Sequence, residues 1–184
     1  MDGEELTDET LAAARQGDGP ALRRVYEWLA PAVQGYLRAK GADDPEALTG
    51  DVFVALLPLI PRLVGGPSHL RTLTFSIAHA RAVDDHRRRS RRPARLPYFP
   101  SEDLRVVESA EDSAHTRLAT EHVLTILNLL PQEQRDVLSL RIVAGLSIDQ
   151  VAEIMGKSAG AVKQLQRRGL IAVREALAAR QVTL

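Results

Sequence analysis

One stretch near the end of the chain carries side chains suited to reading a nucleic acid: Ser158, then Lys163, Gln164, Gln166, Arg167 and Arg168. Gln can pair bidentately with adenine, Arg with guanine, and Lys with phosphate or guanine. At helical spacing Val162, Leu165 and either Ile171 or Val173 turn inward, which leaves that polar set facing out. A second cationic tract spans residues 71–95, where eight Arg (71, 81, 87, 88, 89, 91, 92, 95) stand against Asp84 and Asp85. Its densest part, residues 87–92, suits phosphate contact and carries little sequence information. Catalysis is harder to build. Asp84, Asp85 and His86 precede Arg87, Arg88 and Arg89, so internal ion pairing absorbs the carboxylates. The five His (69, 79, 86, 115, 122) include two pairs seven residues apart, whereas helical zinc sites use three- or four-residue spacing with a third ligand. Gly65-Gly66 lacks the Lys and the strand of a phosphate loop. No metal, no cofactor and no enzyme activity are expected.

The elements that must hold these side chains are helices. Val, Ile and Thr form no alternating run bounded by turns, so the chain reads as all-α. Thr7 can cap a helix over 8–16, ended by Gly17-Asp18-Gly19. Pro20 suits the first turn of the next, with Leu22, Val25, Tyr26, Leu29, Val33, Tyr36 and Leu37 on one face and Gly41 as its stop. Asp44-Pro45-Glu46 opens a third helix to about 57, where Pro58 and Pro61 break the pattern. A fourth covers about 69–88. From 92 to about 113, Pro93, Pro97, Pro100 and scattered acids mark a linker. Beyond it come helices over 114–129 (burying Leu118, Val123, Ile126 and Leu130) and 131–143. A capping box, Ser147-x-x-Gln150, then opens a short helix. Gly156-Lys157 turns the chain, and Ser158 caps the last helix. Two short helices joined by such a Gly turn form a helix-turn-helix.

Net charge is zero, from 24 basic and 24 acidic residues, which taken alone argues against a polyanionic partner. The charges are segregated. Residues 157–180 hold Lys157, Lys163, Arg167, Arg168, Arg174 and Arg180 against Glu175, while acids gather at 2–9 and 102–121. Attraction to phosphate acts over roughly 8–10 Å, so local excess matters more than the sum. Arg outnumbers Lys by 21 to 3, which favours bidentate contacts. Zero cysteine excludes disulfides, thiolate metal sites and a Cys nucleophile. No apolar run approaches the roughly 20 residues of a membrane span, and the acidic start is unlike a signal peptide. A cytoplasmic chain without membrane insertion is expected.

The run Leu130-Pro131-x-x-x-Arg135-x-Val137-Leu138-x-Leu140-Arg141, followed by Gly145-Leu146-Ser147-x-x-x-Val151-Ala152-x-x-Met155-Gly156 and Ser158-x-Gly160-x-Val162-Lys163, resembles region 4 of bacterial RNA polymerase sigma factors, most of all the extracytoplasmic-function (ECF) group. Ala13-Ala14-Arg15-x-Gly17-Asp18 and Asp44-Pro45-Glu46-x-Leu48-x-x-Asp51-Val52-Phe53 resemble the opening helices of region 2. Leu70-Arg71-Thr72-Leu73-x-Phe75-x-Ile77-Ala78-His79-x-Arg81-x-x-Asp84-x-x-Arg87-Arg88 resembles its promoter-reading helix, with Leu73 where the family often has Trp and Ala80 where it often has Asn.

The resemblance implies two small helical domains, region 2 over 7–92 and region 4 over 114–184, joined by a flexible acidic linker over 93–113. It implies a subunit that directs core RNA polymerase to promoter DNA under the control of an anti-sigma partner. Leu48, Asp51 and Val52 would dock on the polymerase. His69, Arg71, Ser76, His79, Arg81, Arg87 and Arg88 would meet the −10 element. Ser158, Lys163, Gln164, Gln166, Arg167 and Arg168 would meet the −35 element. The alternatives are a stand-alone helix-turn-helix regulator and a sigma-like module that only binds a partner.

Overall fold

The computed structural model describes residues 5–91, 127 and 129–181. Every regular element among them is helical. In the first half, each of the first three helices starts where a side chain satisfies an orphan backbone N–H. Thr7 Oγ1 accepts from Thr10 N at 3.1 Å and opens α1 (Asp8–Arg15). Asp18 Oδ1 accepts from Ala21 N at 2.8 Å and opens α2 (Gly19–Ala39). Asp44 Oδ1 does the same for Ala47 N at 2.9 Å and opens α3 (Pro45–Leu56). Such caps contribute about 1 kcal/mol each. The α-helical pattern breaks at Pro58 and Pro61 as expected, and the chain there tightens into a 3-10 turn, Leu57–Arg62. The fourth helix, α4 (Pro67–Arg91), begins earlier than its periodicity suggests because Pro67 occupies the first turn, where its missing N–H costs nothing.

Leu11, Ala14, Val25, Leu29, Phe53, Leu56, Ile60 and Leu70 are buried together between α1, α2, α3 and α4. Each large aliphatic side chain there contributes about 1.5–3 kcal/mol. Leu73 packs against this cluster, half-buried, while Ala80 is exposed on α4.

The second half differs from expectation at one place. The helix expected over 131–143 is α5 (Gln132–Leu138) followed by a π turn, Ser139–Val143. Ala144 N donates to Ser139 O at 3.1 Å, and the Arg141 guanidinium donates to Leu146 O. These bonds hold the widened turn. Ser147 and Gln150 close the capping box of α6 (Ile148–Met155), and Gly156 ends it at φ +61°, a left-handed position that costs an L side chain about 1–2 kcal/mol. Ser158 Oγ accepts from Ala161 N at 3.2 Å at the start of α7 (Ala159–Gln181). Of the helix expected over 114–129, Leu118, Val123 and Ile126 lie outside the described residues, as does the expected linker; Leu127 and Leu130 are buried against Leu138, with Val173 beside them.

The two halves pack on one another. Val33, Tyr36 and Leu37 of α2, Val52 of α3, and Phe75, Ala78 and Ala82 of α4 share one cluster with Val137, Leu140, Leu146, Val151 and Val162 of the second half. No described helix is long and apolar enough to cross a membrane.

Candidate nucleic-acid interface

The last helix presents its polar side outward because its apolar side is anchored. Val162 is fully buried, Leu165 half-buried, and Val173, not Ile171, turns inward. Gly169 is buried where α7 crosses α5, and a Cβ there would lie 3.0 Å from Leu138 Cδ1. That close approach brings α7 down onto α5. Ser158, Lys163, Gln164, Arg167 and Arg168 are exposed and Gln166 is half-buried. The structure therefore brings the expected −35 set onto one accessible side. The same side continues beyond the expected set: Leu170, Ile171 and Arg174 join Lys163, Gln166 and Arg167 around a shallow depression. Exposed aliphatic residues following cations at helical spacing are the signal that could have found them. Lys157, by contrast, is engaged with Glu133 at 2.7 Å.

The expected −10 set divides. His69, Ser76, Arg81, Arg87 and Arg88 are exposed along α4. Arg71 is not free: its Nε donates to Ala144 O at 2.6 Å and its guanidinium lies 5.0 Å from the centre of the Trp28 ring. Burial pulls Arg71 below its ordinary pKa, opposed by the Glu5 charge. His79 is half-buried, with Nδ1 2.8 Å from the Tyr36 hydroxyl. Burial, reinforced by the Lys40 charge and opposed by Asp136, holds the imidazole below its usual pKa. Tyr36 is raised by burial and by Asp136. Lys40, just past the C-terminal end of α2, and Asp136 of α5 form a salt bridge, their side chains only 5% and 7% exposed. A helical period assigns Arg71 and His79 to a face of α4; it carries no information that the second half covers part of that face.

The expected docking residues divide as well. Asp51 is exposed, Leu48 is half-buried against the shared cluster, and Val52 has no exposed surface. Val52 thus supports α3 from beneath and offers a partner no surface in this arrangement. What α3 and the 3-10 turn do expose is apolar: Val54 at 73%, with Leu57, Leu59 and, beyond the turn, Val64. Tyr26 of α2 is also exposed, with its ring centre 4.6 Å from that of Phe53.

Comparison with known proteins agrees with this layout. Residues 126–175 match the model of Sigma-70, region 4, which covers α5, α6 and most of α7. The chain is 33% identical to the ECF RNA polymerase sigma factor SigD of Mycobacterium tuberculosis over 190 residues, spanning 97% of this chain and 87% of that protein. It is 30% identical to the ECF RNA polymerase sigma factor BldN of Streptomyces coelicolor over 165 residues, 88% of this chain and 62% of the relative. Two solved structures share the fold. CnrH, in complex with the cytosolic domain of CnrY, superposes with a TM-score of 0.68 at 21% identity, over 95% of this chain and 98% of that one. The sigma factor RpoE, in complex with the anti-sigma factor NepR from Bartonella quintana, superposes with a TM-score of 0.64 at 19% identity, over 84% and 95%. A capped helix-turn-helix with a cationic outer side, a cationic α4 and identity of this degree over nearly the whole chain lead to one assignment: the chain belongs to the ECF RNA polymerase sigma factor family.

Proposed function

We infer that this chain binds core RNA polymerase, directs it to particular promoters and starts transcription there. The observation that carries this reading is α7: a helix anchored by Val162 and set after the Gly156 turn, with Lys163, Gln164, Arg167 and Arg168 exposed on its far side. A major groove about 12 Å wide admits one such helix. In the proposed arrangement α7 reads the −35 element, and Ser158 and Gln166 complete that contact. The exposed residues of α4 (His69, Ser76, Arg81, Arg87 and Arg88) meet the −10 element. Asp51 and the apolar side chains Val54, Leu57 and Leu59 meet the polymerase. The chain works in the cytoplasm, and the chemistry of RNA synthesis remains with core polymerase. Of the solved neighbours, CnrH is in complex with the cytosolic domain of CnrY and RpoE with the anti-sigma factor NepR, which supports an anti-sigma partner here also. A stand-alone regulator fits less well, because the similarity to polymerase subunits extends over both halves.

The test is charge reversal of Lys163, Arg167 and Arg168 to Glu. Association with core polymerase should be unchanged, while promoter-directed run-off transcript falls at least tenfold. Removing one phosphate-binding cation should reduce the salt slope of promoter binding by about 1. Undiminished promoter use by the triple variant would overturn the assignment of α7.

A further inference from the structure

We propose that Arg89 is a positioning residue: held between Asp43 and Asp85, it keeps the end of α4 helical and in line, so that Arg87 and Arg88 meet promoter phosphates while Arg89 itself does not. The inference rests on the promoter-reading assignment of α4 made above, and it divides a run of arginines that the sequence presents as uniform.

The fourth helix outruns its own core. Ala78 and Ala82 are buried, and no side chain over residues 83–90 is. The helix nonetheless continues to Arg91, an overhang of about 13 Å at 1.5 Å per residue. Such an end has little to hold it, because helices in proteins owe most of their stability to the packing of an apolar face. Positions 78, 82, 85 and 89 recur at helical spacing, so Asp85 and Arg89 continue the stripe that Ala78 and Ala82 bury. Both are half-buried. Arg89 Nε lies 3.0 Å from Asp85 Oδ2, and these two atoms are closed to water. Asp85 precedes Arg89 by four residues, the favourable order for an ion pair on a helix. Arg89 Nη1 also donates to Asp43 Oδ1 at 3.2 Å. One guanidinium thus joins two carboxylates through separate nitrogens, one within α4 and one in the bend that leads from α2 into α3.

Arg87 and Arg88 are in the opposite situation. Both are exposed and have no ion partner among the described residues. At about 100° per residue they turn away from the stripe that carries Arg89. A cation already matched by two carboxylates attracts phosphate weakly, whereas an unmatched one keeps its full charge for it. Exposed ion pairs contribute little to global stability, so the effect of this clasp is local: it sets how often the end of α4 is ordered. If the end is ordered in about one molecule in four without it, apparent affinity for DNA falls roughly fourfold.

The test is equilibrium binding of core polymerase carrying the chain to a promoter fragment on which it starts a transcript, across a range of salt concentrations. Arg87→Ala and Arg88→Ala each remove a phosphate contact and should reduce the salt slope by about 1. Arg89→Ala should instead weaken binding about fourfold at every salt concentration and leave the slope as in wild type. Asp43→Ala separates the two accounts by sign. Removing a carboxylate strengthens binding to a polyanion by simple attraction, whereas losing part of the clasp should weaken it about twofold. The double variant Asp43→Ala, Arg89→Ala should bind no more weakly than Arg89→Ala alone, since both act on one contact. Tighter binding by Asp43→Ala, or a slope reduced by about 1 in Arg89→Ala, would overturn the positioning role. In the free chain, amide hydrogen exchange over residues 84–90 should be about threefold faster in Arg89→Ala than in wild type and unchanged in Arg87→Ala. Equal exchange in all three would overturn the clasp itself. Unchanged salt slopes in both Arg87→Ala and Arg88→Ala would instead remove the promoter assignment of α4, and the positioning role with it, whatever the exchange rates.

Discussion

Deleting one member of the Lys40–Asp136 pair is the sharpest test of how the halves are joined. The two side chains are 5% and 7% exposed, so Asp136→Ala leaves an ammonium in a nearly dry setting. Breaking a buried pair costs about 3–5 kcal/mol. Lys40 is half-buried as a whole residue, and its stem can swing outward to let the charge reach water, which favours the lower end. For a chain of this size that corresponds to a fall in Tm of roughly 6–12 °C. Replacing both partners, Lys40→Met with Asp136→Leu, should recover most of the loss, since apolar substitutes for a buried pair are often neutral or stabilising. The assay is urea unfolding followed by far-UV circular dichroism and by the fluorescence of Trp28, the sole tryptophan. Trp28 packs in the first-half cluster, so coincidence of the two signals also tests whether both halves unfold together. Single-variant losses below about 1 kcal/mol that simply add in the double variant would mark a solvated surface pair and refute the reasoning.

His79 sets a pH dependence. Its folded-state pKa is held below the ordinary 6.5 by burial first and the Lys40 charge second. As pH falls through 6.5 the unfolded chain takes up a proton that the folded chain does not. Stability should therefore decline on acidification, until the folded imidazole also protonates. The facing groups are Tyr36, Lys40 and Asp136, and the urea midpoint at pH 7.5 and 5.5 should move less in His79→Gln than in wild type. At the helix-turn-helix, Ser147→Ala removes the acceptor of Gln150 N and should cost about 1 kcal/mol. Gln150→Ala should cost more, because it also loses the bonds to Ser68 and Thr72; denaturant midpoints distinguish the two. Gly50 is exposed in α3 with open space where a Cβ would stand, so Gly50→Ala should stabilise by about 0.5–1 kcal/mol as read by Tm.

Local chemistry is the part of the fold most open to reading from sequence. Thr7, Asp44, Ser147 and Ser158, each read at a helix opening, all cap helices, because a cap depends on a side chain and a backbone N–H only two or three residues away. The π turn after Leu138 is not readable in this way, since it depends on where the Arg141 guanidinium finds its acceptor. The same division runs through the candidate site. Lys163, Arg167 and Arg168 can be placed outward because Val162 and Leu165 fix the inward side of their own helix. Arg71, His79 and Val52 cannot be separated from their exposed neighbours, because what covers them comes from distant parts of the chain. The exposure of Val54, Leu57 and Leu59 is hidden for a related reason. In so apolar a segment, periodicity does not say which side meets the core, and Val52, Phe53, Leu56 and Ile60 take it.

The most direct measurement of the proposed function is run-off transcription on genomic fragments with purified core RNA polymerase, with and without the chain. Discrete transcripts that appear only when the chain is added, from start sites that fall silent on charge reversal of Lys163, Arg167 and Arg168, are the expected result. Absence of any chain-dependent transcript, together with failure of the chain to co-elute with core polymerase, would contradict it.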